Sequence, residues 1–112
     1  MIQDDIFATL ASLVSNRVYP MVAPDNVVKP YLVYQRVASV PENTLSSGIA
    51  INQTRIQIDM YTSNYKSGQL LAASVQSTIS STFVSSTLQL EQDFYEAETK
   101  LFRVMHDYSI WH

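Results

Sequence analysis

Residues 49–62 read IAINQTRIQIDMYT and carry the clearest structural signal in the chain. Apolar and polar side chains alternate along them, as they do in a β-strand with one face buried and the other exposed. Ile56, Ile58 and Met60 would share the buried face. The residues between and beside them would share the opposite, largely polar face: Arg55, Gln57, Asp59 and Tyr61. We therefore predict a strand over Ile49–Thr62 with one face in the core.

Upstream of this strand the sequence predicts a loop, another strand, a connector and a helix. Residues 39–48, SVPENTLSSG, consist of turn-forming residues and predict a loop. Tyr31–Ala38 is rich in Tyr and Val and predicts the strand before it. Prolines punctuate residues 17–30, which we interpret as an extended connector. Residues 2–15 predict an amphipathic helix, whose apolar stripe recurs at helical spacing: Ile2, Ile6, Phe7, Leu10, Leu13 and Val14.

Downstream of the central strand the sequence predicts one helix and two more strands. Ser63 and Asn64 are N-cap residues, and the helix would run from there to about Phe83. Leu88–Phe94 and Leu101–Trp111 alternate as strands. The predicted fold is α+β, in the order α-β-β-α-β-β, with a largely antiparallel four-stranded sheet and both helices packed on one face.

The composition limits the classes of function. A length of 112 residues fits one domain. Only 15% of the residues are charged, which fits a subunit with large protein contacts and equally an ordinary compact domain. The formal net charge is −3 and the seven basic residues form no run, which argues against a nucleic-acid binder held by phosphate contacts. The chain has no cysteine, so disulfides, thiol nucleophiles and thiolate metal sites are excluded. Neither a signal peptide nor a membrane span is predicted.

The residues that could carry catalysis do not form a recognisable site. His106 could act as a general base or metal ligand beside Asp107, but neighbouring strand residues point to opposite faces, so a packed core histidine is favoured. His112 is the last residue and is expected to fray. No nucleophile motif or glycine-rich phosphate loop is present, so we predict a non-enzymatic protein without cofactor or metal. Four nearby acids lack calcium-site spacing and favour a solvated edge or a charged contact surface: Glu91, Asp93, Glu96 and Glu98.

One charge pattern is repeated on two predicted strands. Arg55 precedes Asp59 by four residues, and Arg103 precedes Asp107 by the same spacing. If the two strands are neighbours, these groups can form a ladder of opposite charges, with each pair adding roughly 0.2–1 kcal/mol. Alternatively, this polar face meets a neighbouring subunit and sets its register. The sequence favours neither interpretation.

Several short motifs carry a family resemblance. They are VYP at 18–20 with AP at 23–24, PYLVYQRV at 30–37, PENTL at 41–45, RIQIDMY at 55–61, and FRV at 102–104 with DYSIW at 107–111. In this order, and over nearly the whole chain, they resemble the tail-completion (tail-terminator, tail-to-head joining) proteins of long-tailed bacteriophages and prophages. The resemblance implies a single tail-completion domain over residues 1–112 and a structural role.

The resemblance also implies partners and a location. Such a protein would form a homo-hexameric ring on the last ring of tail-tube protein, end tube growth, and offer a joining surface to the head-completion or connector protein. It would be made in the host bacterial cytoplasm and lie at the head-proximal end of the virion tail, away from any membrane. DNA would pass through the lumen with only transient contact, which suits an acidic chain.

Within that role we predict an interface. The 39–48 loop is the candidate arm toward a neighbour or the tube, and the charge ladder is the second candidate surface. The predicted interface residues are Pro41, Glu42, Asn43, Thr44, Leu45, Arg55, Asp59, Arg103 and Asp107. Two alternatives remain open: another head–tail connector or stopper subunit, and a small non-enzymatic protein-binding or regulatory α+β domain.

Overall fold

The computed structural model describes residues 2–44 and 49–111. Helix α1 spans Ile2–Leu10 and continues as a 3-10 turn over Ala11–Val14. The remaining elements follow in chain order: β1 (Val18–Pro20), β2 (Tyr31–Thr44), β3 (Ile49–Thr62), α2 (Tyr65–Thr82), β4 (Ser86–Glu96) and β5 (Leu101–Trp111). The predicted α+β class is confirmed, and the two strongest strand patterns, β3 and β5, have the predicted bounds.

The sheet has five strands in the order β1-β2-β3-β5-β4, and its orientation is mixed. Strand β1 runs parallel to β2, with Val18 opposite Leu32, whereas the other neighbouring strands are antiparallel. The prediction of four largely antiparallel strands is therefore wrong in number and in orientation. The missing strand lies in the region interpreted as a proline-punctuated connector. Pro20 ends β1 at the edge of the sheet, where a missing N–H breaks no ladder hydrogen bond.

Strands β2 and β3 form a long hairpin. Their pairing continues from Tyr31↔Tyr61 to Thr44↔Ile49, with an irregularity between Arg36 and Ala38. The predicted 39–48 loop is therefore wrong for residues 39–44, which are strand, while residues 45–48 lie outside the described residues. In residues 39–44 the backbone N–H and C=O groups form hydrogen bonds with the facing strand, so this segment can be a strand without an alternation of apolar and polar side chains.

The outer part of this hairpin extends beyond the rest of the sheet. The last pair between β3 and β5 is Gln53↔Trp111, so residues 38–44 and 49–52 continue as a ribbon of two strands beyond it. We call this ribbon the hairpin arm. The molecule is correspondingly elongated, with principal extents of 52 × 23 × 22 Å.

The core lies on one face of the sheet, between the strands and both helices. Ile56, Ile58 and Met60 of the central strand are fully buried, as the alternation predicts. Residues of both predicted helical stripes pack against them in one cluster: Ile6, Leu10, Val14, Val75 and Ile79. We call the opposite side, which no helix covers among the described residues, the open face.

Helix α2 begins at a side-chain cap and approaches the sheet closely through a glycine. The Asn64 side chain accepts a hydrogen bond from the Ser67 N–H at 3.1 Å. Gly68 is buried, and a Cβ atom at this position would lie 2.9 Å from Thr62 Oγ1. The glycine thus allows the first turn of α2 to lie against the end of β3.

Candidate interface on the open face of the sheet

The charge ladder expected from the repeated spacing is present on the open face. Strands β3 and β5 are antiparallel neighbours, so each basic residue of one strand meets the acid of the other. Arg55 forms an ion pair and hydrogen bond with Asp107, and Arg103 Nε lies 3.9 Å from Asp59 Oδ1. The role of these four residues in an interface stays a prediction.

The two pairs differ in exposure, and each leaves a buried carboxylate oxygen without a hydrogen-bond partner: Asp107 Oδ1 in the first and Asp59 Oδ1 in the second. The Arg55 side chain is 46% exposed, so solvent screens its attraction to Asp107. Asp59 is only 6% exposed. Its Oδ2 accepts a hydrogen bond from Gln57 Nε2 at 3.0 Å, while its Oδ1 and the Nε of Arg103 are buried without a hydrogen-bond partner. Burial raises the pKa of Asp59, although the Gln57 hydrogen bond and the Arg103 charge act in the opposite direction.

Aromatic rings flank the Asp59–Arg103 pair. Tyr31 and Tyr61 stack across β2 and β3 with ring centroids 4.8 Å apart. The Arg103 guanidinium lies 4.2 Å from the centroid of the Phe94 ring on β4, a cation–π contact. The rings therefore fix the guanidinium and cover one end of the open face.

The β1–β2 loop makes this end of the open face concave. The Met21 N–H donates to the Tyr34 carbonyl at 2.9 Å, and Arg17 Nε donates to the Pro30 carbonyl at 2.9 Å, so both ends of the loop are tied to the sheet. Between loop and sheet lies a concavity of about 600 Å³. Its acidic and basic lining residues are Asp25, Lys29, Asp59, Glu96 and Arg103.

The rim of the concavity is apolar. Met21 and Val22 of the β1–β2 loop line the concavity and are 64% and 78% exposed, and Val28 of the same loop, outside the lining, is 67% exposed. Neighbouring apolar residues exposed to this extent are typical of a surface that contacts another protein. Beyond the motif at residues 18–24, no pattern in the sequence predicts this surface, because its position depends on how the β1–β2 loop folds back over the sheet.

The other predicted interface residues lie on the hairpin arm. Pro41 is opposite Asn52 and Thr44 is opposite Ile49, so residues 41–44 sit at the far end of β2. Leu45 lies outside the described residues. The arm and the concavity are thus separate places on the molecule, and the structure does not bring the two predicted groups of residues together.

His106 lies on the helix-covered side of β5 and is fully buried. Its Nδ1 is 2.7 Å from the Tyr108 hydroxyl, and its Nε2 is 2.5 Å from Glu91 Oε2 on the edge strand β4. Burial raises the pKa of Tyr108. Asp107 points to the open face, as strand alternation requires. The imidazole therefore links β4 to β5, and the link to Glu91 could only be found once the register of the two strands was known.

Residues 2–44 and 49–111 contain no cluster of three or more His, Asp or Glu side chains that could hold a metal ion. Across the same segments, none of the helices combines the length and hydrophobicity of a bilayer span.

Comparison with known proteins relates this architecture to a family. Among solved structures, a chain described as "Virion of native gene transfer agent (GTA) particle" superposes with a TM-score of 0.65 at 13% sequence identity, over 95% of this chain and 90% of that chain. A likeness at this identity shows a shared fold. A comparison with curated protein sequences finds no significant match. The family profile described as "Tail completion protein gp17" matches residues 7–112. The family and the virion location predicted from the sequence are thereby confirmed: the chain belongs to the tail completion protein gp17 family of phage tail proteins.

Proposed function

We propose that the protein completes the phage tail as a non-enzymatic structural subunit that closes into a ring on the last ring of tail-tube protein. The ring ends tube growth and presents its other side to the head connector. The observation that carries the proposal is the family match over residues 7–112. The sequence resemblance favours six subunits in the ring.

The mechanism is geometric. Subunits that meet through two different surfaces close into a ring when the rotation between them closes. One side of this ring binds the last tube ring, and the other side differs from a tube ring, so no further tube subunits stack on it. The hairpin arm supports this role because it projects from the core and offers backbone groups to a partner. In this proposal the arm residues Pro41–Leu45 contact a neighbour or the tube, and the open face contacts an adjacent subunit.

DNA passes through the lumen of such a ring. The formal net charge of −3 disfavours a lasting grip on phosphate groups, because affinity for DNA comes largely from basic side chains. Contact with DNA is therefore transient and independent of sequence.

Mixing the purified protein with uncapped tail tubes tests the proposal. Negative-stain microscopy should show rings at tube ends and an arrest of tube elongation, and native mass spectrometry should give one closed stoichiometry. Binding to isolated head connectors but not to tubes would replace the proposal with a head-side stopper. A protein that binds neither and stays monomeric would contradict any role in joining head and tail.

A shortened arm provides a matched variant. Replacing residues 41–52 with Asn-Gly keeps the pairs Val40↔Gln53 and Gln53↔Trp111 and closes the hairpin with a favourable two-residue turn. The variant should still unfold cooperatively in urea, as a folded domain does, and fail to cap tubes. Normal capping by this variant would remove the arm from the mechanism.

A further inference from the structure

The concavity on the open face contains an acid whose hydrogen bonding is incomplete. Asp59 is 6% exposed and lines the concavity, and its Oδ1 has no hydrogen-bond partner. The nearest basic atom, Arg103 Nε, is 3.9 Å away, beyond hydrogen-bonding distance. Leaving a buried charged oxygen unpaired is costly, so such an atom usually has a partner in the functional state. Asp25 and Glu96 bring the acids of the lining to three, against the two bases Lys29 and Arg103. The concavity is therefore suited to a cationic side chain.

A basic side chain of the same chain is available for this role. Arg36 is exposed. It lies opposite Ile56, a core residue, and so is on the helix side of the sheet, at the base of the hairpin arm. Because Arg36 and Asp59 are on opposite faces, Arg36 cannot reach the concavity of its own chain. It can only reach that of another copy.

The surroundings of the two groups also match. Val37, next to Arg36, is 50% exposed, and the rim of the concavity carries the exposed apolar residues Met21 and Val22. A guanidinium suits the site because its planar fork donates several hydrogen bonds to carboxylates at once. The contact would thus combine an ion pair at its centre with apolar residues around it, the usual anatomy of a protein interface.

We propose that the Asp59 concavity of one copy receives the Arg36 side chain of the next copy. This inference rests on the self-association in the proposed function and names the two surfaces that meet. Since the surfaces lie on opposite faces of the sheet, the contact is head-to-tail, and its repetition generates either a closed ring or an open chain.

Single-cysteine cross-linking tests the contact, because the natural chain contains no cysteine. Val37→Cys places one thiol beside Arg36, and Thr99→Cys places one on the lining of the concavity, and both positions are exposed. Each chain carries one thiol, so a short bis-maleimide can join only different copies. We expect cross-linked dimers when the two variants are mixed and much fewer when either is treated alone, because a head-to-tail contact brings position 37 to position 99.

Neutral substitutions then identify the pair. Adding Arg36→Gln to the Val37→Cys chain, or Asp59→Asn to the Thr99→Cys chain, should lower the yield roughly tenfold or more, the usual effect of truncating an interfacial charge pair. Lys66→Gln, at another exposed base on the helix side, is the matched control and should leave the yield unchanged. Equal yields in mixed and unmixed samples, or a yield that does not respond to Arg36→Gln, would overturn the inference.

Native mass spectrometry of the wild-type protein separates this inference from the proposed function. Rings without specific cross-linking would overturn the Arg36–Asp59 contact and leave the ring in place. Specific cross-linking in open chains would support the contact and contradict ring closure. Monomers without cross-linking would contradict both.

Discussion

Helix α2 approaches β3 closely at Gly68. We therefore expect that Thr62 determines whether Gly68→Ala stabilises or destabilises the protein. In Gly68→Ala, the new Cβ would lie 2.9 Å from Thr62 Oγ1 and 3.7 Å from Val104 Cγ2. Thr62 is 2% exposed and its hydroxyl donates to the Asn64 carbonyl at 2.9 Å, so the side chain cannot move aside easily. Overpacking of this kind destabilises by about 1–3 kcal/mol, whereas Ala is favoured over Gly in a helix by about 1 kcal/mol. The net expectation is a loss of about 1 kcal/mol.

Removal of the Thr62 hydroxyl should turn the destabilising effect of Gly68→Ala into a stabilising one. In a Thr62→Ala background the Cβ at position 68 has room, so Gly68→Ala should stabilise the protein by about 1 kcal/mol through helix propensity alone. The coupling between the two positions is then about 2 kcal/mol, within the range for residues in contact.

Urea unfolding of the four proteins, followed by circular dichroism, measures both effects as shifts of the midpoint at constant slope. Ser77→Ala, at an exposed position of α2, is the control for helix propensity and should have the same small effect in both backgrounds. Equal effects of Gly68→Ala with and without the Thr62 hydroxyl would refute the packing argument.

Three further predictions concern single side chains. Tyr108→Phe leaves Nδ1 of the buried His106 without its partner and should cost about 1–3 kcal/mol in urea unfolding, while an unchanged midpoint would show that the hydroxyl does not stabilise the fold. Burial raises the pKa of Asp59 above its ordinary 3.8, so the folded state favours the neutral acid. The resulting contribution to the free energy of unfolding is fully present below pH 3.8 and is lost as the pH rises through the raised pKa. Asp59→Asn should therefore unfold at higher urea than the wild type at neutral pH, with the difference vanishing in acid; a less stable variant at neutral pH would contradict the dominance of burial. Asn64→Ala removes the cap on the Ser67 N–H and should lower stability by about 1 kcal/mol, whereas Asn64→Ser should restore most of it; equal stabilities of both variants would argue against the cap.

The parts of the fold that the sequence predicted are those fixed by a local pattern. The alternation in β3 and β5 reflects burial of one face, and it gave the bounds of both strands. The cap at Asn64 and the stripe through Val75 and Ile79 likewise gave α2. The charge ladder could be predicted from the repeated spacing only on the condition that the two strands are neighbours, because Arg55 and Asp107 then lie diagonally opposite each other on one face.

The missed features depend on non-local pairing. Strand β1 consists only of Val18–Pro20 and is a strand because it pairs with β2. Three residues are too few for a periodic pattern, so the sequence could not predict this strand. Residues 39–44 have the composition of a loop and are strand because residues 49–54 pair with them. The concavity around Asp59 requires the β1–β2 loop to fold back over the sheet, and the link from His106 to Glu91 requires the β4–β5 register.

The hairpin arm and the core cluster consist of different residues, so contact with a partner through the arm and stability of the fold can depend on different parts of the chain. Within the described part of the chain, the backbone of the arm beyond Gln53 pairs only with itself, while the core cluster lies in the helix-covered part of the sheet. The residues of that core cluster all lie outside the arm. If the arm contacts its partners as proposed, it can change together with them while the scaffold behind it stays unaltered.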